Sequence, residues 1–376
     1  MINFKLAQLR KKHNMTQQQI GDILNVSYQT ISKWENNVVL PDITMLPLIS
    51  NYFGVSVDAL LGLVPLEPEY QPSGAGTSNY WEKRLEYLKR TRKTMWNEDY
   101  FQFLVRDVWK IDKPVSVLDC GCGYGALGLL LMTCLPDGSK YTGVDFAGNM
   151  IAAARETFSY SNGNDKNSVL SAEFICSDIM EFEPGEQYDI VISQALLRHV
   201  DNGEKFLHKM IGFLKKDGML VSLEPNLEHE KVGLYIEGMD YMDLCEHDGL
   251  KKMWHMELKM QNRDYSIAMK IPHYMKAAGL HNVSCRMNDR VNFLEPEQLE
   301  YEEMLDSCIR MDHWVEEVEN KELEETIISL MNRGMDRKEA EAFCRQQNGI
   351  VRFLQKNKGE VALTKFSGMM ISYGWK

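Results

Sequence analysis

The sequence predicts a two-part protein, with a small all-α module at the N-terminus and a larger α/β domain that carries helical insertions. Three observations lead there. Residues 1–63 read as five short, capped helices. From about residue 116 onward, short apolar β-type runs alternate with helical patterns, and each run ends in polar residues. Between the two lies VPLEPEYQPSGAGTSN (64–79), proline-rich at first and then rich in Gly, Ser and Thr, which is the composition of a linker.

In chain order, FKLAQLRKKHN (4–14) has apolar residues at Phe4, Leu6 and Leu9 with a basic end. TQQQIGDILN opens with Thr16 as a helix cap and SYQTISKWENN with Ser27, because a side-chain oxygen there accepts one of the otherwise unpaired amides of the first turn. Pro41 and Asp42 are expected to start a fourth helix and Ser56 a fifth. The expected core is Leu9, Ile20, Ile23, Leu24, Val26, Ile31, Trp34, Leu46, Leu48, Ile49, Phe53, Val55 and Leu60.

The stretch MTQQQIGDILNVSYQTISKWENN resembles the Cro/C1-type (XRE) helix-turn-helix family. The resemblance implies double-stranded DNA as a partner of residues 1–63, bound by a homodimer. Ser27, Tyr28, Gln29, Thr30 and Lys33 would lie in the major groove, and Gln17 near phosphate. Asn37 stands where many members carry Gly, and Asn tolerates the same left-handed backbone. Five Lys/Arg against four acids is a weak balance for DNA, so a helical protein-interaction module is the alternative.

The α/β part opens with VLDCGCGYG (117–125), an apolar run, an acid and three glycines leading into an apolar helix. Glycine lets a tight strand-to-helix turn approach a ligand without Cβ obstruction, so a nucleotide-like ligand fits there. YTGVDFAGNMI then ends a second strand in Asp145, placed to hydrogen-bond a ribose diol. AEFICSDIMEF ends a third in Asp178 and Ile179. YDIVISQALLRHV ends a fourth in Ser193 and Gln194, and GMLVSLEPN a fifth in Glu224, Pro225 and Asn226. No Lys-Ser/Thr follows the glycines, which disfavours a phosphate-binding ATPase, and the spacing lacks the last glycine of GxGxxG.

This series resembles the class I S-adenosylmethionine-dependent methyltransferases from about residue 80 to residue 376. The resemblance implies a Rossmann-like, seven-stranded sheet in the order 3-2-1-4-5-7-6 with the final strand antiparallel, and S-adenosylmethionine as cofactor. Asp119 with Gly121, Gly123 and Gly125 would hold the methionine part, and Asp145 the ribose hydroxyls. Asp178 and Ile179 would take the adenine, with Phe146, Met150 and Gln194 completing the cofactor site. Tyr80, Trp81 and Arg84 begin a helix that, by resemblance, folds over the cofactor.

Substrate walls are expected from Tyr80 and Arg84, from Trp96, Asn97 and Tyr100 in the aromatic stretch WNEDYFQFLV, and from Arg198 and Asn226 at strand ends. For Trp96, Asn97 and Tyr100, packing against the sheet is the competing reading. Two residues are candidate general bases. The unperturbed pKa of a histidine lies near neutrality, which suggests His199, and burial could raise Glu224. Insertions are expected at about 227–265 and 295–358. The second would form a lid, or a dimer face through the apolar stripe Leu305, Ile309, Trp314, Val315 and Val318.

Composition narrows the substrate. After residue 63 there are 37 basic and 50 acidic residues, a net charge of −13 that repels polyphosphate and favours a small-molecule methyl acceptor. Eight cysteines show no paired spacing and no zinc pattern, and the loose Cys245, His247, His255 grouping reads as incidental. With no signal peptide and no apolar run long enough to span a bilayer, a cytoplasmic location is expected. Domains are therefore expected at 1–63, 64–79 and 80–376. A regulator that senses S-adenosylmethionine or a metabolite without turnover is the rival function. A DNA base methyltransferase is disfavoured, because SQALL replaces the Pro-Pro-aromatic loop of that class.

Overall fold

A computed structural model describes residues 3–63, 66, 70–71, 77–91, 94–164, 171–245, 248–366 and 368–376. Most of the expected linker at 64–79, and His247, lie outside the described residues. The chain forms two compact units: Met1–Pro72 with Asp248–Met253 and Val318–Arg345, and Ser73–His247 with Trp254–Glu317 and Gln346–Lys376.

The N-terminal helices are α1 (Leu6–Lys12), α2 (Gln17–Leu24), α3 (Tyr28–Glu35), α4 (Met45–Phe53) and α5 (Val57–Leu60). Thr16 caps α2 in a reciprocal box with Gln19, and Ser27 and Ser56 cap α3 and α5 through Thr30 N and Ala59 N. Asn37 adopts φ 55°, the left-handed turn expected there, and its Oδ1 accepts from Phe4 N. α4 starts later than expected. The Asp42 carboxylate accepts from both the amide and the hydroxyl of Thr44, folding residues 42–44 into a turn before the helix begins.

Phe4, Leu6, Leu9, Ile20, Ile31, Trp34, Ile49, Phe53 and Leu60 form the module's core, with Leu24, Val26, Leu46 and Val55 partly buried against it. Ile23 and Leu48 do not join it and are 45% and 56% exposed. The guanidinium of Arg10 donates to both oxygens of Glu35 and to Met15 O, so α1 is tied to α3 across the module.

The larger unit is built on a seven-stranded sheet. Its strands are β1 (Ser116–Cys120), β2 (Lys140–Asp145), β3 (Ser171–Cys176), β4 (Tyr188–Gln194), β5 (Leu214–Pro225), β7 (His281–Met287) and β10 (Met369–Trp375). They run in the order β3-β2-β1-β4-β5-β10-β7, with β10 antiparallel to both neighbours. Counted within this sheet, that is the expected 3-2-1-4-5-7-6.

Alternation along each strand splits the apolar residues between two layers. Val117, Tyr141, Ile190, Ile192, Val221 and Leu223 pack with Leu127, Leu131 and Phe158 on one face. Leu118, Val144, Val191 and Leu220 pack with Leu207, Met210, Ile271 and Met275 on the other.

A second sheet lies outside the sequence expectations. β6 (Leu234–Ile236), β9 (Leu363–Phe366) and β8 (Val291–Leu294) form three antiparallel strands in that order, β6 from within the first insertion and β8 and β9 from either side of the second. Their short runs are too brief to show a period in the sequence. Leu305 and Trp314 are buried in a core with Leu234, Ile236 and Leu363, and Ile309 packs partly buried against it, so they are committed to this core and not to an open stripe; Val315 is exposed. Asp312 accepts from Lys231 and Lys365, and both cations hold its carboxyl well below the usual carboxylate range despite burial.

One glycine reports how tightly the first layer is packed. A Cβ on Gly128, in the helix Ala126–Met132, would come within 2.4 Å of the Tyr141 ring, and the Tyr141 hydroxyl in turn donates to Asp119 at 2.6 Å. Gly128→Ala is expected to lower stability by about 1–3 kcal/mol through overpacking. Thermal unfolding of both proteins measures it; equal midpoints would mean the ring moves freely.

Candidate functional site

The glycine turn after β1 is held by the end of β2. Gly121 N and Cys122 N both donate to Val144 O at 2.8 and 3.1 Å, and Gly123 N donates to the Asp145 carboxylate at 2.9 Å. The other Asp145 oxygen accepts from Ala147 N at 2.9 Å. Burial pushes the Asp145 carboxyl up, and these amide bonds oppose the shift. Gly121 has φ 74°, a backbone that L side chains rarely adopt, and a Cβ there would meet Leu196 at 2.9 Å.

At the carboxyl ends of β1 to β4 this turn opens on a pocket of about 390 Å³. Eight of the ten expected cofactor residues line it: Gly121, Gly123, Asp145, Phe146, Met150, Asp178, Ile179 and Gln194. Asp119 and Gly125 stand behind. Asp119 is 1% exposed and accepts from Tyr141, so it supports the turn from beneath. Gly125, at φ 84°, starts the following helix beneath Phe158. Cys120 and Cys122 are buried thiols, pushed well up by desolvation and the neighbouring Asp119.

The roof comes from the helices Ser78–Glu82 and Leu85–Thr91, which give Trp81 and Leu88 to the lining. Asn149 Nδ2 donates to Glu82 O and the Tyr124 hydroxyl to Leu88 O, which tethers both helices over the turn. The far wall, Ala195, Leu196, His199, Val200, Asp201, Asn202, Lys205 and Phe206, was largely missed by sequence reasoning. A signal was present: Asn202 caps the helix Gly203–Gly212 through Lys205 N, and Asp-Asn-Gly is a helix-start pattern.

The two candidate bases part company. His199 lines the pocket, its ring edge-on to Trp81 at 5.0 Å, and its Nε2 accepts from Arg198 Nε at 3.0 Å. That lone pair is the one a general base would use. Glu224 does not face the pocket. It is 0% exposed, and its Oε1 accepts from Leu196 N and Leu197 N, both at 2.7 Å. The side chain therefore pins the wall loop, in which Ala195 takes φ 51°. Burial raises its carboxyl to about 7, against the pull of the loop amides and Arg198.

Three expected substrate residues are elsewhere. Trp96 packs edge-on against Phe101, the Asn97 side chain accepts from Arg290, and the Tyr100 hydroxyl donates to Met287 O, so this aromatic segment is anchored on the β7–β8 side. Asn226 is also diverted, its Oδ1 accepting from Glu228 N and His229 N to cap the helix Leu227–Val232. Arg198 reaches the pocket only through His199. Tyr80 and Arg84 line a separate cleft of about 540 Å³ with Thr77, Asn79, Lys83, Tyr87 and His313.

In the N-terminal module, Tyr28, Gln29 and Lys33 are exposed along one side of α3. Ser27 and Thr30 hydroxyls bond each other at the start of that helix, and Gln17 Nε2 donates to Glu35 at 2.8 Å.

Residues 111–279 match the family model described as a methyltransferase domain, and residues 6–60 match a helix-turn-helix model, so the chain carries both domains. It is similar to malonyl-[acyl-carrier protein] O-methyltransferase of Acetivibrio thermocellus, 38% identical over 106 residues, which are 28% of this chain and 34% of that protein. It is also similar to ubiquinone biosynthesis O-methyltransferase of Bradyrhizobium diazoefficiens, 31% identical over 128 residues, 34% of this chain and 47% of that one. The chain thus spans between a third and a half of these relatives' length.

Glu224 gives a pH test. A carboxyl whose folded pKa lies above its unfolded value favours folding below the unfolded pKa and loses that advantage as pH rises through the folded one. Between about pH 4.5 and 7 the wild type is expected to lose roughly 3 kcal/mol relative to Glu224→Gln, the value for a shift of this size. Unfolding midpoints of the two proteins across that range should diverge; parallel curves would show that Glu224 is not buried as described.

Proposed function

We propose that residues 80–376 form a methyltransferase that moves the methyl group of S-adenosylmethionine to a small molecule, and that residues 1–63 bind double-stranded DNA as a dimer. The observation that carries the enzyme reading is the pocket itself. Its floor is the glycine turn, and the acids that end β2 and β3 stand in its wall, within a stretch that matches a methyltransferase domain. The O-methyltransferase relatives support the same reading.

The residues present suit the cofactor. The backbone of Gly121 and Gly123 would face its methionine part, Asp145 its ribose, and Asp178 with Ile179 its adenine, flanked by Phe146, Met150 and Gln194. When bound, S-adenosylmethionine supplies an electrophilic methyl group. The chain's own contribution is to orient the acceptor and exclude water, which Trp81, Leu88 and the 195–206 wall do from above and beside the turn.

With Glu224 enclosed and the His199 lone pair engaged by Arg198, positioning carries the reaction, and an acceptor that ionises readily suits the site. The same engaged lone pair favours a second reading, in which the domain senses its ligand without turnover. No helix among the described residues is long and apolar enough to cross a membrane. A cytoplasmic protein that regulates its own operon fits both modules.

Calorimetry should show S-adenosylmethionine binding one-to-one, with Asp145→Ala weakening it by about 1.5–3 kcal/mol, the range for hydrogen bonds to charged groups. Unchanged affinity in a folded variant would remove Asp145 from the cofactor site. Transfer of label from the methyl group to a metabolite extract separates enzyme from sensor. For DNA, sites selected from a random pool should lose discrimination in Gln29→Ala, whereas Lys11→Ala should weaken all sites and flatten the salt dependence. Selection of no site above bulk DNA would reject the specific-reader assignment.

A further inference from the structure

The cleft around Arg84 holds cations that have no acidic partner among the described residues. The Arg84 guanidinium lies 4.1 Å from the centre of the Tyr80 ring and 5.6 Å from that of Tyr87. Among the described residues its side chain makes no hydrogen bond or ion pair. Lys83, beside it in the lining, has no acidic partner among them either. The Tyr87 ring stacks on His313 at 5.6 Å, and its hydroxyl donates to Met311 O.

Two neighbouring acids, Asp312 and Glu230, influence Tyr87, and both also act on the buried Lys365. Asp312 influences both Tyr87 and His313, yet its carboxylate is shared between Lys231 and Lys365. Glu86, on the helix Leu85–Thr91 that carries Tyr87, pairs with Lys89. A chain with 54 acids and 42 bases thus leaves two cations together, unpaired among the described residues, in one cleft of about 540 Å³. A guanidinium drawn to two aromatic rings by cation–π attraction spends no N–H donor on them, so its donors remain for a planar or tetrahedral oxyanion.

The cleft adjoins the main pocket through the same helices. Trp81 and Leu88 turn to the pocket while Tyr80, Arg84 and Tyr87 turn to the cleft, and Trp81 touches Tyr80 on one side and His199 on the other. We propose that Arg84, framed by Tyr80 and Tyr87 and assisted by Lys83, is the anchor for an anionic group, carboxylate or phosphate, on the methyl acceptor. The acceptor part of this assignment rests on the methyltransferase reading above; anion binding in the cleft does not.

The test uses the full chain. Acetate and inorganic phosphate, each titrated against chloride at equal ionic strength, should raise the unfolding midpoint in proportion to occupancy, and Arg84→Gln should abolish that rise. A rise with acetate alone assigns a carboxylate, and with phosphate alone a phosphate. No rise with either, or an undiminished rise in Arg84→Gln, overturns the site.

In parallel, a metabolite extract is divided on an anion-exchange resin before reaction. The retained pool should accept labelled methyl groups, with transfer at least tenfold lower in Arg84→Gln and the same S-adenosylmethionine affinity. Methylation confined to the flow-through overturns the acceptor role. If S-adenosylmethionine fails to bind the wild type, the methyltransferase reading fails, while the anion titration still decides the cleft.

Discussion

Two turns that close the pocket share one carboxylate. Asp145 accepts the amide of Gly123 with one oxygen and that of Ala147 with the other, so the end of β2 fixes both the glycine turn after β1 and its own departure into the next helix. Charge-assisted bonds of this kind are stronger than neutral ones and lose little to solvent when buried. Everything that faces the pocket floor is referenced to them. Asp119 acts from the layer below, where Tyr141 donates to it and Gly128 makes room for the ring. The two acids therefore have different tasks although the sequence presents them as a pair.

A comparable division runs through the far wall. Glu224 stands at a strand end, where open α/β sheets place ligand-binding groups, yet its carboxylate turns inward to the amides of Leu196 and Leu197. The loop it pins supplies His199, and Leu196 from that loop lies over Gly121. Floor and wall are consequently one connected arrangement, built from backbone amides held by buried carboxylates. Such an arrangement fixes the shape of the pocket through main-chain geometry.

Within the larger unit, parts of the insertions build a second core beside the Asp312–Lys231–Lys365 cluster and the three-stranded sheet. Removing one partner of a buried charge cluster is costly, because it leaves another buried and unpaired. That commitment also keeps Asp312 from serving as a counter-charge to Arg84 and Lys83. In the N-terminal module a similar commitment operates: Glu35 receives both Arg10 and Gln17, so one of the five basic residues and the glutamine expected near phosphate serve the fold's interior.

Features governed by neighbours in the chain are legible in the sequence itself. The caps at Thr16, Ser27 and Ser56, the left-handed Asn37, the glycine turn and the strand-end acids all depend on residues a few positions apart, and backbone geometry decides them locally. The strand order followed from the resemblance those motifs carry. Only the tertiary structure decided where side chains with two plausible uses would go. Trp96, Asn97 and Tyr100 could line a pocket or pack on a sheet, and the folded chain gives Asn97 a partner in Arg290, 193 residues away. Glu224 could face solvent or the interior, and amides 27 and 28 residues away drew it in. Local sequence states which polar groups need partners, but a folded chain chooses them from residues that sequence spacing does not bring together.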